Sequence, residues 1–385
     1  MHYKSLSRFA KKSVIRPRVN EHLIALVLLC LNAMPASLAQ PPLPGVPVTH
    51  PVSAAPKAPI FFSSSAPKPA AAPPTASSLV TPAVAANLAK IVNAPQTVIN
   101  VANLANGVYN FTGNFINTSN LVFVSTNTNV HTVTLSVTGS IFNPVGASIS
   151  TMAPTGYANA VSNLSLSLDA LGGIYNAGSI TAAGSLSPTA PVIANIHPNT
   201  IGATGPAPIM QATTGDVSMH ATTVLNQGTI ASTVGNIHLD ALAGTNSLAI
   251  NSLGGNFSAV NGAINIGTQN LTNKLNLQIF GGDYISQTLN VAAGSAGLVS
   301  LQANSVSGLL NITAGSAFTN VDTGTLKLGN LNVGGDPYVS VGGNIIFSGV
   351  TNVSDVLEVT ATGSILSDGT ATSIYAQNGI DMYNR

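Results

Sequence analysis

Residues Thr223–Gly244 read TVLNQGTIASTVGNIHLDALAG, and two short alternating runs inside them decide the fold. Each run opens on glycine: Gly228-Thr-Ile-Ala, then Gly235-Asn-Ile-His-Leu-Asp-Ala. Successive side chains of a strand point to opposite faces. Ile237, Leu239 and Ala241 therefore project to one side, and Asn236, His238 and Asp240 to the other. The pattern of glycine followed by alternating apolar residues recurs at Gly184, Gly215, Gly262, Gly297, Gly308, Gly324 and Gly343, and in shortened form at Gly363 and Gly379. Spacings between these glycines run from 11 to 35 residues and cluster near 20. Such a repeat, with short strands and Gly or Asn at the corners, predicts an all-β fold: a parallel β-solenoid turning three strands per coil. One coil cannot bury its apolar side alone, so stability must come from stacking. At about 20 residues per coil, residues 98–385 would form about 14 coils and a stack of about 65 Å. A β-sandwich would show turn signals every 8–12 residues, and an immunoglobulin-like one usually a core Trp. Trp is absent and the repeats share one local pattern, which favours the solenoid.

Composition agrees with a stacked architecture. Charged residues make up 6% of the 385, against about 25% in ordinary globular proteins. Asn, Ser and Thr must then carry the solubility, and they stack above one another without mutual repulsion. Half of the twelve basic residues, from Lys4 to Arg18, precede the apolar run Leu23–Leu31 and the small residues Ser37 and Ala39. This is the pattern of a secretory signal peptide over residues 1–39, and its apolar run is too short to span a bilayer. The one cysteine, Cys30, falls inside it, and Leu29 is bulky where a lipoprotein acceptor needs a small neighbour. The mature chain would be mildly acidic. It has no Lys or Arg between Lys90 and Lys274, which argues against nucleic-acid binding.

Eleven of the 23 prolines lie between Pro41 and Pro74, so residues 40–78 read as a disordered Pro/Ala/Ser linker. Ile60-Phe61-Phe62 is an apolar spot within it, read as a chance cluster. Thr81 and Pro82 suit N-cap and N1, and Val84, Leu88 and Ile91 fall on one helical face. Within residues 79–97 this predicts a short helix over Thr81–Val92, placed to cap the first rung of a repeat domain over 98–385. Val108–Phe115, Leu121–Val124 and Val133–Val137 read as strands.

Asn176-Ala-Gly-Ser-Ile-Thr-Ala-Ala-Gly-Ser-Leu and Asn226-Gln-Gly-Thr-Ile-Ala-Ser-Thr-Val-Gly-Asn-Ile-His-Leu resemble the repeats of filamentous haemagglutinin-type exoproteins. These are large bacterial proteins of two-partner secretion and related autotransporter-passenger-like surface proteins. The resemblance is best over 172–314 and looser over 98–385. It implies a right-handed parallel β-helix, export across a bacterial envelope, and a role in adhesion or biofilm. The chain departs from that family in its proline-rich linker and in having only echoes of the Asn-Pro-Asn motif, at Asn143-Pro144-Val145 and His197-Pro198-Asn199.

Chemistry is thinly represented. The mature acidic residues are Asp169, Asp216, Asp240, Asp283, Asp322, Asp336, Asp355, Glu358, Asp368 and Asp381, scattered singly. His238 and Asp240 would meet Asp216 and His220 if the coils stacked in register; solvated outward positions are the preferred reading. Gly281-Gly282-Asp283 and Gly334-Gly335-Asp336 read as turns, since the tandem register of calcium-binding repeats is missing. No catalytic residue, metal ligand or cofactor is assigned. The expected function is an exported β-helix at the bacterial cell surface, in the outer membrane or in the medium, with a structural or adhesive role. The stop at Asp381-Met-Tyr-Asn-Arg, inside a repeat, suggests the N-terminal part of a larger adhesin-like exoprotein. Surface glycans, receptors on a host or neighbouring cell, and an outer-membrane secretion pore are the expected partners, with no nucleic acid and no transmembrane span in the mature chain. The alternative is a polysaccharide-active β-helix enzyme, a lyase or glycoside hydrolase.

Overall fold

The computed structural model describes residues 76–267, 274–369 and 372–384. The signal segment with Cys30, and the proline-rich stretch up to residue 75 with Ile60-Phe61-Phe62, lie outside the described residues. From residue 96 to 384 the chain is a parallel β-solenoid of about twelve coils. Each strand pairs with the one a full coil further on. Gln96–Asn100 carries Asn120–Val124, Val108–Phe111 carries Thr132–Val137, and Phe115–Ile116 carries Ile141–Asn143. The result is three sheets, called first, second and third in the order the chain visits them.

Period-two alternation sends one set of side chains inward, and register stacks them. In the second sheet Val133, Leu166, Leu186, Val217, Ile237, Ile264, Leu289 and Leu310 lie one above another, all fully buried. Ile149, Ile180, Met210, Ile230, Phe257 and Tyr284 do the same in the first sheet, and Ile141, Ile174, Ile193, Val224, Ile250 and Ile279 in the third. Burying a side chain of this size is worth about 1.5–3 kcal/mol. That gain exists only while the coils above and below are in place.

The glycines that open the repeats mark a corner. Gly184, Gly215, Gly235, Gly262, Gly308, Gly324, Gly343 and Gly363 lead into second-sheet strands or strands that pair onto them; Gly297 and Gly379 open third-sheet strands. Coils approach so closely here that a Cβ on Gly235, Gly262 or Gly343 would strike the carbonyl oxygen of Gly215, Gly235 or Gly324 respectively. Glycine is needed for backbone clearance.

At the corner after the third sheet runs a buried asparagine ladder. Asn117 donates from Nδ2 to Asn143 Oδ1 (2.8 Å), Asn143 to Asn176 (2.7 Å), Asn176 to Asn195 (2.8 Å) and Asn195 to Asn226 (3.0 Å). The second Nδ2 hydrogen goes to a backbone carbonyl, as from Asn176 to Ile209 (3.0 Å) and Asn226 to Asn256 (2.8 Å). Gly178 and Gly228 donate their N–H groups back to Asn176 and Asn226 Oδ1, which is the physical content of the Asn-x-Gly signature. Buried polar groups survive only when paired, and each rung pairs the next.

Three expectations are corrected. The stack has about twelve coils, not 14, because residues 151–164 and 196–208 leave the coil as long excursions. The strand expected over 108–115 breaks at 112–114, where Gly113 takes a φ of 85° and the chain turns between Val108–Phe111 and Phe115–Ile116. The helix expected over Thr81–Val92 spans only Pro82–Asn87, after a short Ala76–Leu79 turn of helix. Thr81 does cap it, accepting the Val84 N–H at 3.3 Å. It stops early because the chain beyond it bonds sideways: Ile91 N–H to Val145 O (2.8 Å) and Val145 N–H to Leu88 O (3.4 Å). Val84 and Leu88 pack on Phe142, Val145, Ala177, Ala194, Ile196 and Leu225, so the segment lies along the outer flank of the third sheet rather than over the first rung.

Counting coils from the one that begins at Gln96, coil nine is Ser305–Val321, and beyond it the wall changes. Among the described residues no strand pairs onto 305–307 from above. The strand segment 309–314 divides, with Leu309 and Leu310 carrying Lys327 and Leu328, and residues 312–314 carrying 331–333.

Among the described residues seven buried side-chain polar atoms have no hydrogen-bond partner, and the Tyr284 hydroxyl belongs to the largest side chain of the set. Tyr284 is fully buried, stacked on Phe257 with centroids 5.3 Å apart, and its hydroxyl has no hydrogen-bond partner among the described residues. An unpaired buried hydroxyl costs about 1–3 kcal/mol. Tyr284→Phe is therefore expected to hold or raise the urea midpoint; a fall of more than experimental error would show a partner for the phenol.

Candidate functional site

The outward side of the second sheet is a regular polar surface. One column reads Thr134, Ser167, Ser187, Ser218, His238, Asn265, Asn290 and Asn311, one residue per coil. Its upper part is an outer asparagine ladder: Asn311 donates to Asn290 and Asn290 to Asn265, each at 2.8 Å. The ladder ends on His238, whose Nδ1 lies 3.5 Å from Asn265 Nδ2. The parallel column reads Ser136, Asp169, Thr189, His220 and Asp240.

Register does bring the four chemical residues together. His220 is paired with Asp240 across one coil. Asp216 Oδ1 accepts the Asn236 N–H at 2.6 Å, and its Oδ2 stands 3.8 Å from His238 Nε2. Asp169, Asp216 and Asp240 are the only acidic residues between Lys90 and Lys274, and all three belong to this wall. Over those residues the fixed charge of the solenoid is therefore negative and confined to one side.

Burial raises the pKa of Asp240 above the usual carboxylate value, with His220 and His238 pulling it partly back. The sign follows from linkage. A raised folded-state pKa means that the group favours folding below the ordinary carboxylate pKa, and that this contribution is lost as pH rises through the folded value. Asp240→Asn is accordingly expected to raise the melting temperature at pH 7, with the gain shrinking toward pH 4. A gain that grew on acidification would contradict this.

Two cavities adjoin the wall at its corner with the third sheet and share Leu242. One, of about 280 Å³, is lined by Ser136, Thr138, Asp169, Leu171, Thr189 and Pro191 among others. The second, of about 360 Å³, runs from Asp240 through Leu242 and Thr245 to Leu275. Asp169 and Asp240 stand three coils apart through Thr189 and His220, about 14 Å at the usual strand spacing. Paired glycosidase carboxylates sit about 5–9.5 Å apart, so these two cannot flank one glycosidic bond. Among the described residues no group of three or more His, Cys, Asp or Glu is placed to hold a metal ion, and no helix is long and apolar enough to cross a membrane.

The two Gly-Gly-Asp sites are turns. Gly281 and Gly282 take positive φ of 71° and 86°, and Asp283 accepts the Ser305 hydroxyl at 2.6 Å. Asp336 accepts the Val356 N–H at 3.0 Å. The buried ladder and the corner cavities were not read from the sequence; the Asn-x-Gly pairs at 176 and 226 were the available signal for the first.

Fold and surface together define a parallel β-solenoid with an inner asparagine ladder and one anionic, hydroxyl- and amide-rich wall. Comparison with known proteins finds no matching family model, curated protein or solved structure.

Proposed function

We propose that the protein is an exported bacterial β-helix, at the cell surface or secreted, with a structural and adhesive role like that of filamentous haemagglutinin-type exoproteins. The outward wall of the second sheet is its contact surface. The observation that carries this reading is the column from Thr134 to Asn311, which repeats hydroxyl and amide groups at one per coil, interrupted once by the imidazole of His238. Such a row matches a long, repetitive polar ligand better than a small one. The leader-like residues 1–39 supply the export part of the reading.

The test is expression of the full chain in a Gram-negative host, followed by fractionation and bead adhesion. Recovery at the surface or in the medium, and adhesion of coated beads to glycan-bearing cells, are the expected results. Retention in the cytoplasm would overturn export; coated beads that adhere no better than bare ones would overturn adhesion. A polysaccharide-cleaving reading has one observation in its favour, the His238–Asp216 contact. Turnover of any acidic or neutral polysaccharide would promote it.

A further inference from the structure

The two corner cavities share a plan: each sets one carboxylate, Asp169 or Asp240, against an apolar wall that includes the shared Leu242, with three hydroxyl side chains in the first and Thr245 in the second. Leu171 stands 75% exposed at the rim of the first. No Lys or Arg lies between residues 90 and 274, and Lys274, exposed beside Leu275 of the second cavity, is not among the groups that act on the Asp240 carboxyl. The charges facing Asp240 are His220 and His238, and behind them Asp216.

Resting on the adhesive reading above, we propose that this corner binds a linear amino-sugar glycan laid along the solenoid axis. Protonated amines on separate sugar units meet Asp169 and Asp240. Sugar hydroxyls reach Ser136, Thr138, Thr189 and Thr245, and the apolar faces of the rings rest on Leu171 and Leu242. A charged hydrogen bond to each carboxylate is stronger than a neutral one, which sets amino sugars above their acetylated forms. An extended basic peptide fits less well, because peptide strands are usually captured by an open sheet edge. The strands of this corner are already paired to the coils on both sides.

The experiment is calorimetric titration of the full chain with a β-1,4-linked glucosamine hexamer near pH 6, with the fully N-acetylated hexamer and a lysine pentapeptide run in parallel. The glucosamine hexamer is expected to bind at least about tenfold more tightly than either, and to weaken as salt is raised. Asp169→Asn with Asp240→Asn should remove about tenfold of that affinity while the melting transition stays cooperative. Equal binding of the acetylated hexamer would overturn the amine-based inference and leave glycan adhesion standing. Tighter binding of the lysine peptide would assign the corner to a protein partner instead. Bead adhesion without binding of any hexamer would also sink the inference while sparing the adhesive reading.

Discussion

Asn176→Ala is expected to lower the stability of the solenoid by about 3–5 kcal/mol, read as a shift of the urea midpoint. The side chain is fully buried and serves four neighbours. It accepts from Asn143 Nδ2 (2.7 Å) and the Gly178 N–H (3.2 Å), and donates to Asn195 Oδ1 (2.8 Å) and Ile209 O (3.0 Å). Alanine leaves all four groups with one bond fewer, and at the fully buried Asn143 and Asn195 each such loss costs about 1–3 kcal/mol before relaxation. Asn332, exposed on a strand of coil ten, is the control: Asn332→Ala should stay within about 0.5 kcal/mol. Equal effects at the two positions would show that the ladder adds nothing to stability.

Gly343→Ala should be nearly as damaging, by about 2–3 kcal/mol, through overpacking rather than lost bonds. The added methyl would meet the carbonyl of Gly324 one coil below, a backbone atom that cannot swing aside. Gly113 separates this effect from ordinary glycine conformational strain. Its φ is 85° and open space surrounds it, so Gly113→Ala should cost only the left-handed penalty of about 1–2 kcal/mol. If Gly113→Ala proved the worse of the two, close approach of coils would not explain the repeat glycines.

The sequence was legible where a local rule governs. The inward and outward sets at Ile237–Ala241 follow from period-two alternation alone, and Ile237 and Leu239 are fully buried while His238 and Asp240 face out. Register across coils is different, because it depends on how many residues each excursion consumes. Ladder partners are separated by 26, 33, 19 and 31 residues in turn, so no fixed period exposes them. Asn117, Asn143 and Asn195 also lack the glycine two positions on that flags Asn176 and Asn226. The same irregularity left the pairing of His220 with Asp240 readable only on the condition that the coils stack in register. That pairing needs 20 residues between coils five and six, where the neighbouring steps take 31 and 27. The end of the short helix was hidden for another reason: Val145, which diverts the chain at Leu88 and Ile91, is more than 50 residues away.

The change of wall above coil nine also sets how the stack comes apart. In a linear array each coil is held by its own contacts and those to its two neighbours, so a weakened interface divides the array into cooperative blocks. Segment 305–307 carries no strand above it among the described residues, and the strand segment beside it pairs with Leu326–Val333 through a register shift between Leu310 and Ile312. Amide protons from residue 326 onward should therefore exchange with deuterium as one early-opening block, while those of 133–321 open later and together. The solenoid, continuous as a fold, would then behave as two foldons hinged at one seam.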